Sequence, residues 1–129
     1  MKKIFLIASL ALVISSCGNG EVEVGQKTTM FVEKIYEVGT VVKGEKVVAK
    51  IQVENTGTYP LVIAQVSPGC SCTIASKPEE PIQPGEKGII TATVDSDKVA
   101  GNKISKSVSI VANTEPSTTV VVIKGKIKN

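Results

Sequence analysis

Cys70 and Cys72 stand one residue apart in "VSPGCSCTIAS", directly after Pro68-Gly69, and offer the most reactive chemistry in the chain. Two thiols at that spacing could form a disulfide, act as a redox switch, or hold a soft metal ion. They could also pack as small hydrophobes. A closed zinc site needs four ligands, and the sequence supplies these two thiols and no histidine, although Glu79 and Glu80 lie nearby. Copper(I) suits the pair better, because soft thiolates select it and two are enough. In an extended segment the two Cα atoms would lie about 6.6 Å apart, near the upper limit for a bridge. Loop-closure entropy over three residues gives only about 1.6 kcal/mol, so a bridge here is a poor staple and an easily reduced one. Disulfide, redox pair and copper site stay open. No resident cofactor and no other metal is expected.

The third cysteine has a different context. In "MKKIFLIASLALVISSCGNG", Lys2 and Lys3 precede an apolar run from Ile4 to Ile14 that is too short to span about 30 Å of hydrocarbon. The run reads as a signal peptide over residues 1–16. Ile14-Ser15-Ser16-Cys17 resembles a bacterial lipobox, in which the cysteine is lipidated and becomes the first mature residue. The resemblance implies a membrane anchor at Cys17 and an address in the bacterial envelope. There an oxidising environment favours a disulfide between the other two cysteines. Gly18 follows where some bacteria place the aspartate of inner-membrane retention, which tilts the expectation to the outer membrane.

Composition removes several classes of function. The chain has no histidine, so neither a Ser-His-Asp triad nor a Cys-His pair can form. It has no tryptophan and 3% aromatic residues, too few for a carbohydrate-stacking platform. All 15 basic residues are lysine, two of them in the signal segment, which leaves near parity with the 12 acidic residues. The lysines look scattered along the chain, and arginine is absent. Nucleic acid is therefore not an expected partner. No carboxylate pair stands out for acid–base work, and the chain does not read as an enzyme.

The elements that must position the cysteines are strands. After a tether over residues 17–29, short β-rich runs alternate with turn signals and no helical period appears. "MFVEKIYEV" reads as one strand, followed by turns at Gly39-Thr40 and Lys43-Gly44. "EKVVAKIQVEN" alternates Val47, Ala49, Ile51 and Val53 on one face against Val48, Lys50, Gln52 and Glu54 on the other. "NTGTYP" is a turn whose Asn and Gly tolerate positive φ, and "LVIAQVS" and Cys72 to Ser76 are further strands. Pro84-Gly85-Glu86 is a tight turn in a proline-rich loop. Ile90, Ala92 and Val94, then Val108 and Ile110, face inward, and "STTVVVIKGKI" closes the domain. All six prolines are read as lying between strands. Lys124, Lys126 and Lys128 read as edge protection or a solvated tail. About seven strands in some 100 residues predict an all-β, immunoglobulin-like antiparallel sandwich over residues 30–129, packed on Val and Ile.

The ordered stretches Tyr36 to Gly39, Gly44-Glu45, Asn55 to Gly57, Leu61 to Val66, Cys70 to Thr73, Pro84 to Glu86 and Lys124-Gly125 resemble a domain of unknown function abundant in bacterial envelope lipoproteins. That family is related to Hydin-like and major-sperm-protein-like immunoglobulin folds. The resemblance covers about Phe31 to Ile127, with Ser71 standing where the family usually has glycine. It implies a fold and an address, and no catalytic activity. The expected function is a non-catalytic, lipid-anchored binding or structural module. It would be held to the membrane through Cys17 and would engage a protein or other envelope component. The alternative is a thiol redox or copper-handling lipoprotein centred on Cys70 and Cys72.

Overall fold

A computed structural model describes residues 25–129; the stretch expected to be a signal segment, and Cys17 with the lipobox-like residues before it, lie outside the described residues. Eight strands follow in order: β1 (Met30–Val32), β2 (Ile35–Val42), β3 (Lys46–Asn55), β4 (Ile63–Pro68), β5 (Thr73–Ser76), β6 (Lys87–Asp95), β7 (Lys103–Ala112) and β8 (Thr118–Lys128). One short 3-10 turn, Ser96–Lys98, joins β6 to β7. The strands form two four-stranded sheets, β1-β3-β6-β5 and β2-β8-β7-β4, packed as an immunoglobulin-like sandwich.

The alternation read in the sequence decides which faces meet. Ala49, Ile51 and Val53 of β3 and Ile90, Ala92 and Val94 of β6 are buried, opposite Val108 and Ile110 of β7 and Val121 and Ile123 of β8. Antiparallel register pairs Ile51 with Ile90 and Val53 with Gly88, so each inward row is continuous across its sheet. Val, Ile and Ala make up most of this core, whose packing comes from branched side chains without a central aromatic.

Four local expectations are corrected. "MFVEKIYEV" is two strands: the chain breaks at Glu33-Lys34 and passes from one sheet to the other. β1 runs antiparallel to β3, and β2 runs parallel to β8. Gly39 is not in a turn but in a bulge within β2, where the register to β8 shifts between Glu37 and Thr40. The extra residue changes the parity of the strand, so Tyr36 and Val38 pack inward before it and Val41 after it. Pro68 does not fall between strands; it ends β4, an edge strand, where a missing N–H is tolerated. Gly57 has no positive φ. It is required for a close approach instead, since a Cβ there would meet Thr28 Oγ1 at 2.0 Å and the Thr29 backbone nitrogen at 2.6 Å.

Strand direction gives the sandwich two distinct ends. One gathers the entering chain at Gln26 to Met30, the β3–β4 turn, the proline-rich loop before β6, and the β7–β8 turn. The other gathers the β2–β3 turn, the cysteine loop between β4 and β5, the 3-10 turn, and the end of β8.

Candidate functional site

Cys70 and Cys72 are joined by a disulfide at the second of these ends, in the connection that carries the chain from β4 in one sheet to β5 in the other. The segment is a turn and not the extended chain expected from the sequence: the Thr73 N–H donates to the Cys70 carbonyl at 3.3 Å. Turning draws the Cα atoms to 5.3 Å, inside the ordinary range for a bridge. The expectation of stretched geometry is thereby withdrawn, while the small entropy of so short a loop remains.

The loop is fastened to both sheets. On one side the Gly69 N–H donates to the Ser107 carbonyl of β7 at 2.8 Å. A Cβ at Gly69 would lie 2.4 Å from Ser107 Oγ, so this approach needs glycine. On the other side the Asp95 N–H at the end of β6 donates to the Cys72 carbonyl at 2.9 Å. Cys72 is buried and Cys70 half-buried, and Ser71 between them is exposed. Thr73 is buried with its Oγ1 3.6 Å from Cys70 Sγ and 3.7 Å from Cys72 Sγ. Disulfide sulfurs carry no hydrogen, so the hydroxyl is the donor. The fourth residue of Cys-Ser-Cys-Thr therefore belongs to the site, and sequence reasoning about thiols alone missed it.

Beside the bridge lies a cavity of about 210 Å³ bounded by Ser71, Cys72, Ile74, Lys46, Asp95 and Lys98. Ile74, on the edge strand β5, is 76% exposed, the most exposed large hydrophobic residue described. Lys98 and Asp95 form an ion pair at 3.9 Å on its rim. Among the described residues no group of three or more His, Cys, Asp or Glu is arranged to hold a metal ion. Glu79 and Glu80 sit in the proline-rich connection between β5 and β6, beyond the far end of β5 from the cysteine turn.

The opposite end holds the chain that arrives from the N-terminus. Asn55 is fully buried and uses its whole amide. Its Nδ2 donates to the carbonyls of Tyr59 at 2.7 Å and Ile82 at 2.9 Å, and its Oδ1 accepts from Thr28 Oγ1 at 2.9 Å and the Gly57 N–H at 3.1 Å. Asn113 repeats the device: Nδ2 donates to the carbonyls of Gln26 and Pro60, and Oδ1 accepts from the Val62 N–H. Lys27 pairs with Glu115, which holds that carboxyl below its usual value through the hydrogen bond first and charge second. Gln26 to Thr29, expected in the tether, are thus tied to the domain. The Pro84-Gly85 turn closes as expected, with the Glu86 N–H donating to the Gln83 carbonyl at 2.9 Å and Gly85 at φ +80°.

Fold and site together define an immunoglobulin-like β-sandwich module with a disulfide-closed loop at one end. The chain belongs to the family described as "Protein of unknown function (DUF1573)", matched over residues 29–127. No curated protein matches it. Among solved structures it is similar to a protein of unknown function from Porphyromonas gingivalis W83, at 22% identity and a TM-score of 0.70, covering 79% of this chain and 48% of that one. It is also similar to the PapD-like domain 7 of human CEP192, at 12% identity and a TM-score of 0.57, covering 98% and 99%. The Vibrio cholerae VesB protease matches at 10% identity and a TM-score of 0.59, over 78% of this chain and 32% of the protease. At these identities the likenesses show the fold alone. The chain spans about half the length of the Porphyromonas protein.

Proposed function

We propose that this protein is a non-catalytic, lipid-anchored module of the bacterial envelope that displays one end of the sandwich to a partner protein.

 It would be held to the outer membrane through Cys17, with the Hydin-like and major-sperm-protein-like relation as its structural ancestry. The observation that carries the reading is the separation of the two ends. The chain enters at the asparagine-clamped end, and the cysteine loop lies at the other, roughly 30 Å away along the ten residues of β3. An anchor reaching the entry end would present the cysteine loop, Ile74 and the open edge of β5 away from the membrane. Strand addition at that edge is the mechanism such a surface supports: backbone groups give affinity, and Ile74 with the neighbouring cavity gives selectivity.

The anchor is tested by fractionation without detergent. Cys17→Ala should leave the membrane fraction, and unchanged membrane association of that variant would remove the anchor from the proposal. The display surface is tested by photocrosslinking in intact cells from position 74 and, as a control, from position 59 at the entry end. A protein adduct specific to position 74 is expected, and equal labelling at both positions would refute it.

A second reading, thiol redox, is favoured by the Thr73 hydroxyl at both sulfurs. A dithiol reductant of the envelope would attack the more accessible Cys70 sulfur, breaking the bridge and forming a mixed disulfide. Cys72 would leave as a thiolate stabilised by the Thr73 hydroxyl. The reductant's second thiolate then releases Cys70. The reductant ends as a disulfide, and two electrons and two protons reside on the cysteine pair. Redox titration with alkylation tests this: Thr73→Val should make the bridge harder to open, and an unchanged potential would count against the reading. Copper(I) handling requires the reduced pair and is tested by titrating the reduced protein with copper(I) against a competing chelator.

A further inference from the structure

Lys124, Lys126 and Lys128 do not guard an edge, as the sequence suggested. Their strand, β8, lies between β2 and β7 in the interior of its sheet. Alternation puts all three on the outer face, and register sets Lys103 of β7 directly opposite Lys126. Like charges directly opposed across strands are destabilising. Among the described residues no ion pair offsets them: those formed are Lys27–Glu115 and Lys98–Asp95, and both lie elsewhere. Glu37, beside Lys124 in the register, is the acidic neighbour on this face, and it forms no ion pair there.

The surface under these lysines is shaped. The β2 bulge lies against Gly125, where a Cβ would meet Val38 Cγ2 at 2.5 Å and the Gly39 carbonyl oxygen at 3.0 Å. Two stretches singled out in the sequence, Tyr36 to Gly39 and Lys124-Gly125, therefore meet here. They border a groove of about 520 Å³ lined by Thr40, Ser105, Lys103, Lys124 and Lys126, with Glu37 as its one acidic side chain. A second concavity of about 390 Å³ shares Thr40, Lys103 and Lys126 with it and continues to Lys128. Lysines on alternate residues recur about every 7 Å along β8, with Lys103 about 5 Å to one side.

We propose that this groove binds a linear polymer carrying a phosphate in each repeat. A row of lysines with hydroxyls between them matches a succession of point charges. Lysine binds phosphate as a point charge, and every basic residue of the chain is lysine. Among the described residues the face has no aromatic side chain: Phe31 is on the other sheet, Tyr36 packs against the core, and Tyr59 is at the entry end. Stacking of sugars or bases is therefore not part of recognition. The proposal concerns a different face from the cysteine loop and does not depend on the anchor.

The test titrates the full chain, purified in a nonionic detergent, with inorganic polyphosphate of about ten phosphates. Binding should weaken as salt rises. Lys103→Gln with Lys126→Gln should weaken it roughly tenfold and flatten the salt slope by about one per lysine removed. The matched control, Lys50→Gln with Lys87→Gln, changes net charge equally on the outer face of the other sheet and should bind as the parent does. Thermal denaturation of the groove variant should be unchanged or raised, because the opposed charges are gone. No binding, equal loss in the control, or a fall in stability that accounts for the loss would overturn the proposal. So would binding of orthophosphate with the same affinity. Vesicles with about one-third anionic lipid form the last arm: retention that depends on Lys103 and Lys126, without polyphosphate binding, would make the occupant a membrane surface and refute the polymer.

Discussion

The two ends of the sandwich are built on opposite rules. At the entry end, two asparagines use their side-chain amides to join segments distant in sequence, and Asn55 does so with no exposure at all. At the cysteine end, the polar groups are less committed. A bridge spans a single residue, one hydroxyl faces two sulfurs, and an exposed isoleucine sits on an open edge. Buried polar groups stabilise a fold only when every donor and acceptor is matched, and a nearly matched network is worse than none. The Asn55 amide meets that condition and serves to hold the chain. The cysteine end leaves chemistry available, which is what a surface facing a partner requires.

Substitutions can break or sharpen this contrast. The largest effect is expected midway between the ends, where Ile51→Ala should cost about 2–5 kcal/mol in chemical denaturation and so calibrate the rest. Next comes the entry end. Asn55→Ala strands the Tyr59 carbonyl together with two donors, leaves the Ile82 carbonyl only its bond from the Leu61 N–H, and should cost about 3 kcal/mol. If its midpoint barely moves, the clamp is not what fastens this end. Gly57→Ala forces a Cβ against Thr28 and Thr29 and should cost about 1–3 kcal/mol, with faster hydrogen exchange in Thr28 to Met30. At the cysteine end the expected loss is smaller: Cys70→Ser with Cys72→Ser should shift stability by less than about 2 kcal/mol, because the closed loop is so short. A larger loss, with a bridge that resists reduction, would make the pair a structural staple and end the redox reading. The smallest effect belongs to Glu115. Its lowered carboxyl contributes only above the ordinary carboxylate range, and that contribution is lost as pH falls through the depressed value. The pair with Lys27 is solvent-exposed, so Glu115→Gln should leave the neutral-pH midpoint unmoved in moderate salt.

Much of this was legible in the sequence because it follows from local rules. Period-two alternation named Val47, Ala49, Ile51, Val53, Ile90, Ala92, Val94, Val108 and Ile110 as inward, and all are buried except Val47, which is half-buried against the core. Proline followed by glycine marked the turn at Pro84-Gly85, since the two residues preset φ of opposite sign. The break at Glu33-Lys34 escaped because both halves are equally strand-like. Which sheet each half joins is decided by partners in β3 and β8, far along the chain.

The sequence by itself determined the β-sandwich and the inward faces of β3, β6 and β7, and it placed two thiols one residue apart while leaving disulfide, redox pair and copper site open. Side-chain period and turn chemistry act over a few residues, so a single chain displays them directly. Only the tertiary structure decided that Asn55 is a buried clamp and not merely a turn residue, that Gly57 and Gly125 are required by contacts rather than by φ, and that Thr73 belongs with the cysteines. It also gathered lysines from β7 and β8 onto one face although they lie some twenty residues apart in sequence. Thr73 reaches the sulfurs through a local turn; the others depend on how distant strands meet, and register is fixed by the burial of whole faces at once, which no short stretch of sequence encodes.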